Sequence, residues 1–453
     1  MNSDEIIKAQ QVEIQYLKER IAELERQLGL NSNNSSKPPS SDGLKKETRR
    51  TTTLRESNKA KGGQKGHIGK TMERKEPTHI KRCTVDECAE CKRNLKEQNP
   101  IKIETRQTQD IQIIQIITDY ELEVKRCICG ATTKAQAPKN VNAPVQLGPT
   151  IKSTIAYLAE QFIPINRLSE VMNDLFQTKV SPTTVMKTTQ GLAQELSVFY
   201  AESKQYLIEA LIKHLDETGI RVDGSTNWMH VLSDALVTYL HHNKKRKSLI
   251  PELKGTVVHD HYAPYLQLKN AQHVFCNAHI LRELKALKEI DKEAWAASMY
   301  DLEIEMCKAI KEHNLAACEI EAFERRYDVI IQEGFKYHEA LPPLDDPNIK
   351  KRGKVKRRIG HNLLIRLRQY KTETLRFLHD SNVPFTNNQA ERDVRMVKGK
   401  QKVSGSFRSK KGVEDFAIIR SFISTVRKNN VSVLQAICTA FDRTIHLSDI
   451  LII

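Results

Sequence analysis

The run Lys213-His214-Leu215-Asp216-Glu217-Thr218-Gly219-Ile220-Arg221-Val222-Asp223-Gly224 decides the fold. It reads as one long strand, 213–222, closed by Asp-Gly, a pair suited to the left-handed turn of a β-hairpin. Further strand-like runs follow at 229–235, 237–241, 256–260 and 273–277, and a helix is expected over 278–290. Short strands that give way to helix point to an α/β core. Two of the runs carry an aspartate at or near their ends, Asp216 and Asp260.

Working outward, a third acidic residue lies far down the chain in Thr386-Asn387-Asn388-Gln389-Ala390-Glu391-Arg392-Asp393-Val394-Arg395. Thr386, Asn387 and Asn388 are good N-cap types, and Glu391 falls in the first turn, where the helix dipole favours an anion. One reading is local: Glu391 supports the helix start and pairs with Arg395 at i,i+4. The other is chemical. Two aspartates on neighbouring strands and a glutamate from a helix can hold two hard divalent cations, Mg²⁺ or Mn²⁺, for phosphoryl transfer. Asp216, Asp260 and Glu391 are thus the candidate catalytic residues and metal ligands. Glu217 competes with Asp216, but neighbours on a strand face opposite sides. Asp223 sits in the turn. Asp393 points about 200° away from Glu391 on the same helix.

Cys276-Asn277-Ala278-His279, followed by Arg282-Glu283, forms a second constellation. Cysteine and histidine three apart are able to ligate a metal, but a closed zinc site needs four ligands. Cys276, His279 and Arg282 are therefore read as supporting residues, a buried thiol ending a strand and a helix-start histidine at the active edge. Arg392, Arg395, Lys398, Lys400, Lys402 and Arg408 make a basic train beside Glu391. Arg392, Arg395, Lys398, Lys402 and Arg408 are the candidates for contact with DNA phosphates; the bland alternative is a solvated face.

The chain has 453 residues and a formal charge of +16, so it has room for several domains and suits a polyanionic partner. No apolar run reaches the roughly 20 residues of a membrane span, and the polar N-terminus lacks a signal-peptide core. A cytosolic, reducing setting is expected, with no membrane partner and with the nine cysteines as metal ligands or buried thiols rather than disulfides.

Residues 1–30 read as a leucine zipper. Ile7, Ile14, Ile21 and Leu28 lie seven apart, with Gln10, Leu17 and Leu24 three further on, a pattern for a parallel homodimer; the alternative is an amphipathic helix docked on its own chain. Residues 31–75 read as a flexible basic linker containing Ser36-Lys37-Pro38-Pro39-Ser40-Ser41. Residues 76–140 form a cysteine-rich, zinc-finger-like module. In it Cys88, Cys91, Cys127 and Cys129 are candidate ligands of a structural Zn²⁺, Cys83 is an alternative ligand, and strands are expected at 111–117 and 120–124. Residues 141–204 read as a helical, helix-turn-helix-like DNA-binding region, with a helix at 167–176, a break at 177–180, and Ser181-Pro182 opening a helix to 199. The catalytic core then occupies 205–290. A helical insertion follows at 291–380 and carries a basic run at 350–358. The Glu-bearing helix and the C-terminal helices, expected at 391–402, 412–427 and 432–443, fill 381–453.

These motifs, in this order, resemble DDE transposases of bacterial insertion sequences, the class called IS-sixty-six. The resemblance is carried by the zipper, the Ser-Lys-Pro-Pro-Ser-Ser linker, Gly62-Gly63-Gln64-Lys65-Gly66-His67, and the paired cysteines. It continues through Asp216-Glu217-Thr218, Asp260-His261-Tyr262-Ala263-Pro264-Tyr265, Cys276-x2-His279-x2-Arg282-Glu283 and Asn387-Asn388-x-Ala390-Glu391-Arg392-x-x-Arg395. The second cysteine pair, C-x-C, departs from the expected spacing. The resemblance implies an RNase H-like catalytic domain with Asp216, Asp260 and Glu391 as triad, and Mg²⁺-dependent cleavage and strand transfer at element ends. It also implies a nucleoid-associated, cytoplasmic protein that binds transposon ends and target DNA, with accessory proteins of the same element as further partners. A transposase-derived DNA-binding regulator without catalysis and a hydrolytic nuclease are the alternatives.

Overall fold

The structure is a computed structural model that describes residues 3–31, 34–35, 72–138, 140–342, 344 and 357–451. The Ser-Lys-Pro-Pro-Ser-Ser and Gly-Gly-Gln motifs and most of the basic run at 350–358 lie outside these residues. The chain divides into two units, residues 51–119 and the remainder.

The larger unit opens with α1 (Ser3–Gly29). Its last turn docks on the chain itself: Arg26 pairs with Asp291, and Gly29 faces Ile290 so closely that a Cβ there would stand 3.1 Å from it. The heptad residues Ile7, Ile14, Leu17, Ile21, Leu24 and Leu28 nevertheless remain 44–87% exposed. Next comes a small antiparallel hairpin, β1 (Val124–Arg126) and β2 (Thr132–Lys134).

Four helices follow, α2 (Pro149–Glu160), α3 (Ile165–Phe176), α4 (Pro182–Glu195) and α5 (Ser197–Glu209). The turn between α3 and α4 begins with Gln177 in the left-handed region, φ 50°. Ser181 caps α4 by accepting from the Thr184 N–H at 3.1 Å, with Pro182 in the first turn, as the sequence predicts.

The sheet is built from β3 (Ile212–Val222), β4 (Ser225–Ser233), β5 (Thr238–Asn243), β6 (Gly255–His259) and β7 (Ala271–Phe275). Its five strands run in the order β5-β4-β3-β6-β7. β3, β4 and β5 are antiparallel neighbours, whereas β6 and β7 run parallel to β3. The β3–β4 turn is the expected one, with Asp223 at φ 47° and Gly224 at φ 70°. Both edges are covered. Ser421 and Thr425 hydroxyls accept from the outward N–H groups of Leu240 and Thr238 on β5, and Arg376 donates to the His273 carbonyl on β7. An unpaired edge is thereby closed by side chains rather than by another strand.

After the sheet come α6 (Asn277–Ala286), a π-helical turn (Leu287–Asp291), and the inserted helices α7 (Ala294–Glu312), α8 (Ala317–Glu339), α9 (Ile359–Gln369) and α10 (Lys371–His379). The chain then returns to the sheet with α11 (Asn388–Ser404), α12 (Lys410–Lys428) and α13 (Val433–Asp442). Two cores result. One packs Leu215, Leu232, Tyr239 and Val257 with α5, α12 and α13; the other packs Ile220, Val222, Met229 and Val231 with Ala390, Val394 and Val397 of α11.

In the smaller unit, described from residue 72, regular structure is sparse. Cys88 and Cys91 sit on a tight turn, where Cys88 N–H donates to the Arg93 carbonyl at 2.9 Å and Lys92 adopts φ 59°. The strand expected at 111–117 does not form, and Ile111, Ile113, Ile114, Ile116 and Ile117 are exposed. No ladder partner faces that run among the described residues, and a lone extended segment does not hold strand geometry. The run expected at 120–124 begins pairing only at Val124.

Candidate active site

Register brings the two aspartates together. β3 and β6 pair His214 with Val258, and continuing that parallel register by two residues sets Asp260 level with Asp216. β7 pairs Phe275 with His259, and the ladder extends as Cys276 N–H donates to the His259 carbonyl at 2.9 Å, so Cys276 stands beside Asp260. Asp216 shares its side of β3 with Ile220 and Val222, the side on which α11 packs. Glu391 arrives in the first turn of that helix.

The electrostatics follow from this crowding. Burial, then Glu217, then Asp260 and Glu391 push the Asp216 carboxyl well above its ordinary pKa. Asp260 is raised to about 6, first by burial and next by Glu217, against an N–H bond from Tyr262. Like charges held in a poorly solvated place are the arrangement a divalent cation relieves, and an all-oxygen set suits Mg²⁺ or Mn²⁺.

Glu391 faces basic side chains. Arg282 Nη2 lies 3.3 Å from its Oε1, His279 Nδ1 4.0 Å from the same atom, and Arg395 Nη2 3.6 Å from Oε2. The predicted i,i+4 pair with Arg395 is therefore present, though Arg282 is nearer. Among the described residues, the metal-type donors that converge to within 4.8 Å are Cys276, His279 and Glu391.

Asn387, expected as a helix cap, does something else. Its side chain makes no capping bond. It is buried instead, accepting from His214 Nδ1 at 2.8 Å and donating to the Leu215 carbonyl at 2.7 Å. Its backbone N–H points at the Cys276 sulfur, 3.1 Å away. One residue thus ties the start of α11 to β3 beside Asp216 and to the end of β7. Strands that only the fold makes neighbours supply its partners, so the sequence signal was limited to an Asn-Asn pair before a helix.

The competing carboxylates have partners of their own. Glu217 accepts from Arg246 Nε at 2.8 Å and from the Tyr265 hydroxyl, on the opposite side of β3 from Asp216. The Arg246 guanidinium also lies over the Tyr262 ring at 4.1 Å and the Trp228 ring at 4.9 Å. Asp393 is buried against Lys428, 3.0 Å away, and the Thr238 hydroxyl. Asp223 remains in its hairpin turn.

Of the basic train, Arg392, Arg395, Lys402 and Arg408 are exposed on or just beyond α11, while Lys398 donates to the Gly219 carbonyl. Cys88 and Cys91 belong to the smaller unit, Cys127 and Cys129 to the larger. Each pair sits on a tight turn. Backbone N–H donors, chiefly those of Cys91 and of Cys129, lower the pKa of Cys88 and of Cys127 respectively. That favours the thiolate form zinc takes. No described helix is long and apolar enough to cross a membrane.

Comparison with known proteins accords with this geometry. No curated protein matches the chain. Residues 2–73 match a family of unknown function, DUF6444. Residues 144–415, more than half the chain and inclusive of Asp216, Asp260 and Glu391, match the model for the Transposase IS66 family. On that match, the chain belongs to the IS66 transposase family.

Proposed function

We propose that the chain cleaves DNA at the ends of its insertion sequence and joins the freed 3′-hydroxyl to target DNA, with Asp216, Asp260 and Glu391 as catalytic residues. The observation that carries this is the strand register: Asp216 on β3 and Asp260, just past the end of the adjacent parallel strand β6, are electrostatic neighbours, on the side where α11 brings a glutamate. The sheet order, with a long first strand central between an antiparallel pair and a parallel pair, supports an RNase H-like core.

Asp216 and Asp260 are the residues that would hold divalent ions, and Glu391 completes the set. When bound, the ions supply charge stabilisation at the scissile phosphate and activate the attacking oxygen. The protein's own contribution is position. Asn387 fixes α11 against β3, the Tyr262 N–H orients Asp260, and Arg246 pairs with Glu217 while lying over the Tyr262 and Trp228 rings. Arg392, Arg395, Lys402 and Arg408 face the DNA backbone, with Lys398 nearer the sheet. The basic linker, the cysteine-rich module and the α3–α4 pair read the ends, the thiolates of Cys88, Cys91, Cys127 and Cys129 are candidate Zn²⁺ ligands, and α1 pairs with a second copy through its open heptad face.

The test is Mg²⁺-dependent joining of a labelled, pre-cut element end to plasmid DNA, with Glu391→Gln as control. Joining by the parent alone is expected. Release of cut products without joining would make the chain a nuclease, and metal-independent end binding with neither reaction would make it a regulator.

A further inference from the structure

Cys276, His279 and Glu391 do not match the hard-ion set of the two aspartates. They offer one sulfur, one imidazole nitrogen and one carboxylate oxygen, all within 4.8 Å of one another. Local structure explains the convergence. Cys276 is the N-cap of α6 and His279 lies in its first turn, so a three-residue spacing puts both on one side of the helix start. α11 supplies the carboxylate, and the Asn387 N–H fixes the sulfur from the same helix. His279 Nδ1 is out of contact with water and has no hydrogen-bond partner.

We infer that Cys276, His279 and Glu391 form a second metal site, selective for a soft or borderline divalent ion of the Zn²⁺, Co²⁺ or Cd²⁺ class, that takes Glu391 out of the catalytic set when filled. Magnesium does not use sulfur, so the ligand types discriminate against it. Three protein ligands plus one open position is a coordination zinc adopts. Zinc–ligand bonds of about 2.0–2.3 Å require the three donors to close in by about 1 Å. On binding, the Cys276 thiol gives its proton to solvent, and Arg282 gives up its 3.3 Å contact with Glu391. Arg282 is the opposing charge, so its removal strengthens binding.

The site stands without the transposase reading; its effect on joining rests on that reading. The full chain is titrated with Co²⁺ alone, following the thiolate-to-cobalt absorption band. The parent is expected to bind one more Co²⁺ than either Cys276→Ser or His279→Gln, both checked for folding by circular dichroism. Cysteines at 88, 91, 127 and 129 are unchanged in all three proteins, so they cancel in the difference. Arg282→Met is expected to tighten that extra Co²⁺ by at least about tenfold, since it removes a like charge a few ångströms from the ion. Equal Co²⁺ binding by the parent and the folded His279→Gln variant would overturn the site, as would unchanged affinity in Arg282→Met.

For the consequence, Zn²⁺ is added to joining reactions run in excess Mg²⁺, each variant compared with its own zinc-free rate. A Zn²⁺ level that halves joining by the parent is expected to leave the Cys276→Ser rate unaltered. Full-rate joining by zinc-loaded parent would overturn the withdrawal of Glu391. If the parent joins nothing even without zinc, the transposase reading fails, and the cobalt titration still decides the site.

Discussion

The carboxylate edge and the cysteine turns are both short motifs that point to metals, yet the chain supports them differently. Asp216, Asp260 and Glu391 are held by strand register, by a buried asparagine and by packed helices on each side. Cys88 and Cys91 are held by a few backbone bonds on a turn, in a unit whose described isoleucines are exposed. The difference teaches where the free energy of each site comes from. The first is positioned by burial before any ion binds. The second has little core behind it, so its order depends on what it binds, as in small metal-stapled modules.

The largest expected effect breaks the chemistry and spares the frame. Glu391→Gln or Asp216→Asn should lower joining at least about 10³-fold, while gel-shift affinity for element ends changes less than about threefold. A variant that still joins would remove that residue from the triad. Asp393→Asn breaks the frame instead. It leaves the buried Lys428 amine without its carboxylate, and urea unfolding should show a loss of about 3–5 kcal/mol. A neutral result would show that α11 is held by apolar packing alone.

Proton linkage gives a smaller effect of opposite sign. Without metal, Asp260 has a pKa raised to about 6, above the ordinary value of about 3.9. A raised carboxyl pKa means the fold favours the protonated form. Stability is therefore lost as pH climbs from about 4 through 6 and is flat above. Asp260→Asn should escape that loss and exceed the metal-free parent by up to about 2–3 kcal/mol at pH 7.5, an advantage that excess Mg²⁺ reduces. Equal stability at pH 7.5 would mean that the acidic edge is not strained. The smallest effect belongs to the cysteine turns. A strong zinc chelator should open residues 76–134 to limited proteolysis while the thermal midpoint of the core moves by less than about 2 °C. A core that unfolds with the turns would erase the contrast.

Much of the core was legible because its signals are local. The β3–β4 hairpin declares itself in Asp223-Gly224, the start of α4 in Ser181-Pro182, and the strands in their apolar runs. The opposed faces of Glu217 and Asp216 follow from the pleat. The run at 111–117 carries the same signal as the strands that do form: an apolar run marks strand capacity, and pairing is decided elsewhere. The sequence suggests a local capping role for Asn387, whereas its partners His214 and Leu215 lie more than 170 residues away. Arg246 and Lys428, the ion-pair partners of Glu217 and Asp393, carry no sequence mark of that task.

The sequence by itself determined the inventory: which segments form strands and helices, which carboxylates are available, and the sign of the surface charge beside them. Those properties depend on periodicity, turn chemistry and residue type, all readable within a few positions. Tertiary structure decided the neighbours. It brought Asp260 and Glu391 close to Asp216, turned Asn387 inward, and set Glu391 beside Cys276 and His279. Such choices depend on register and on the desolvation of polar groups, and these exist only once distant strands and helices have packed.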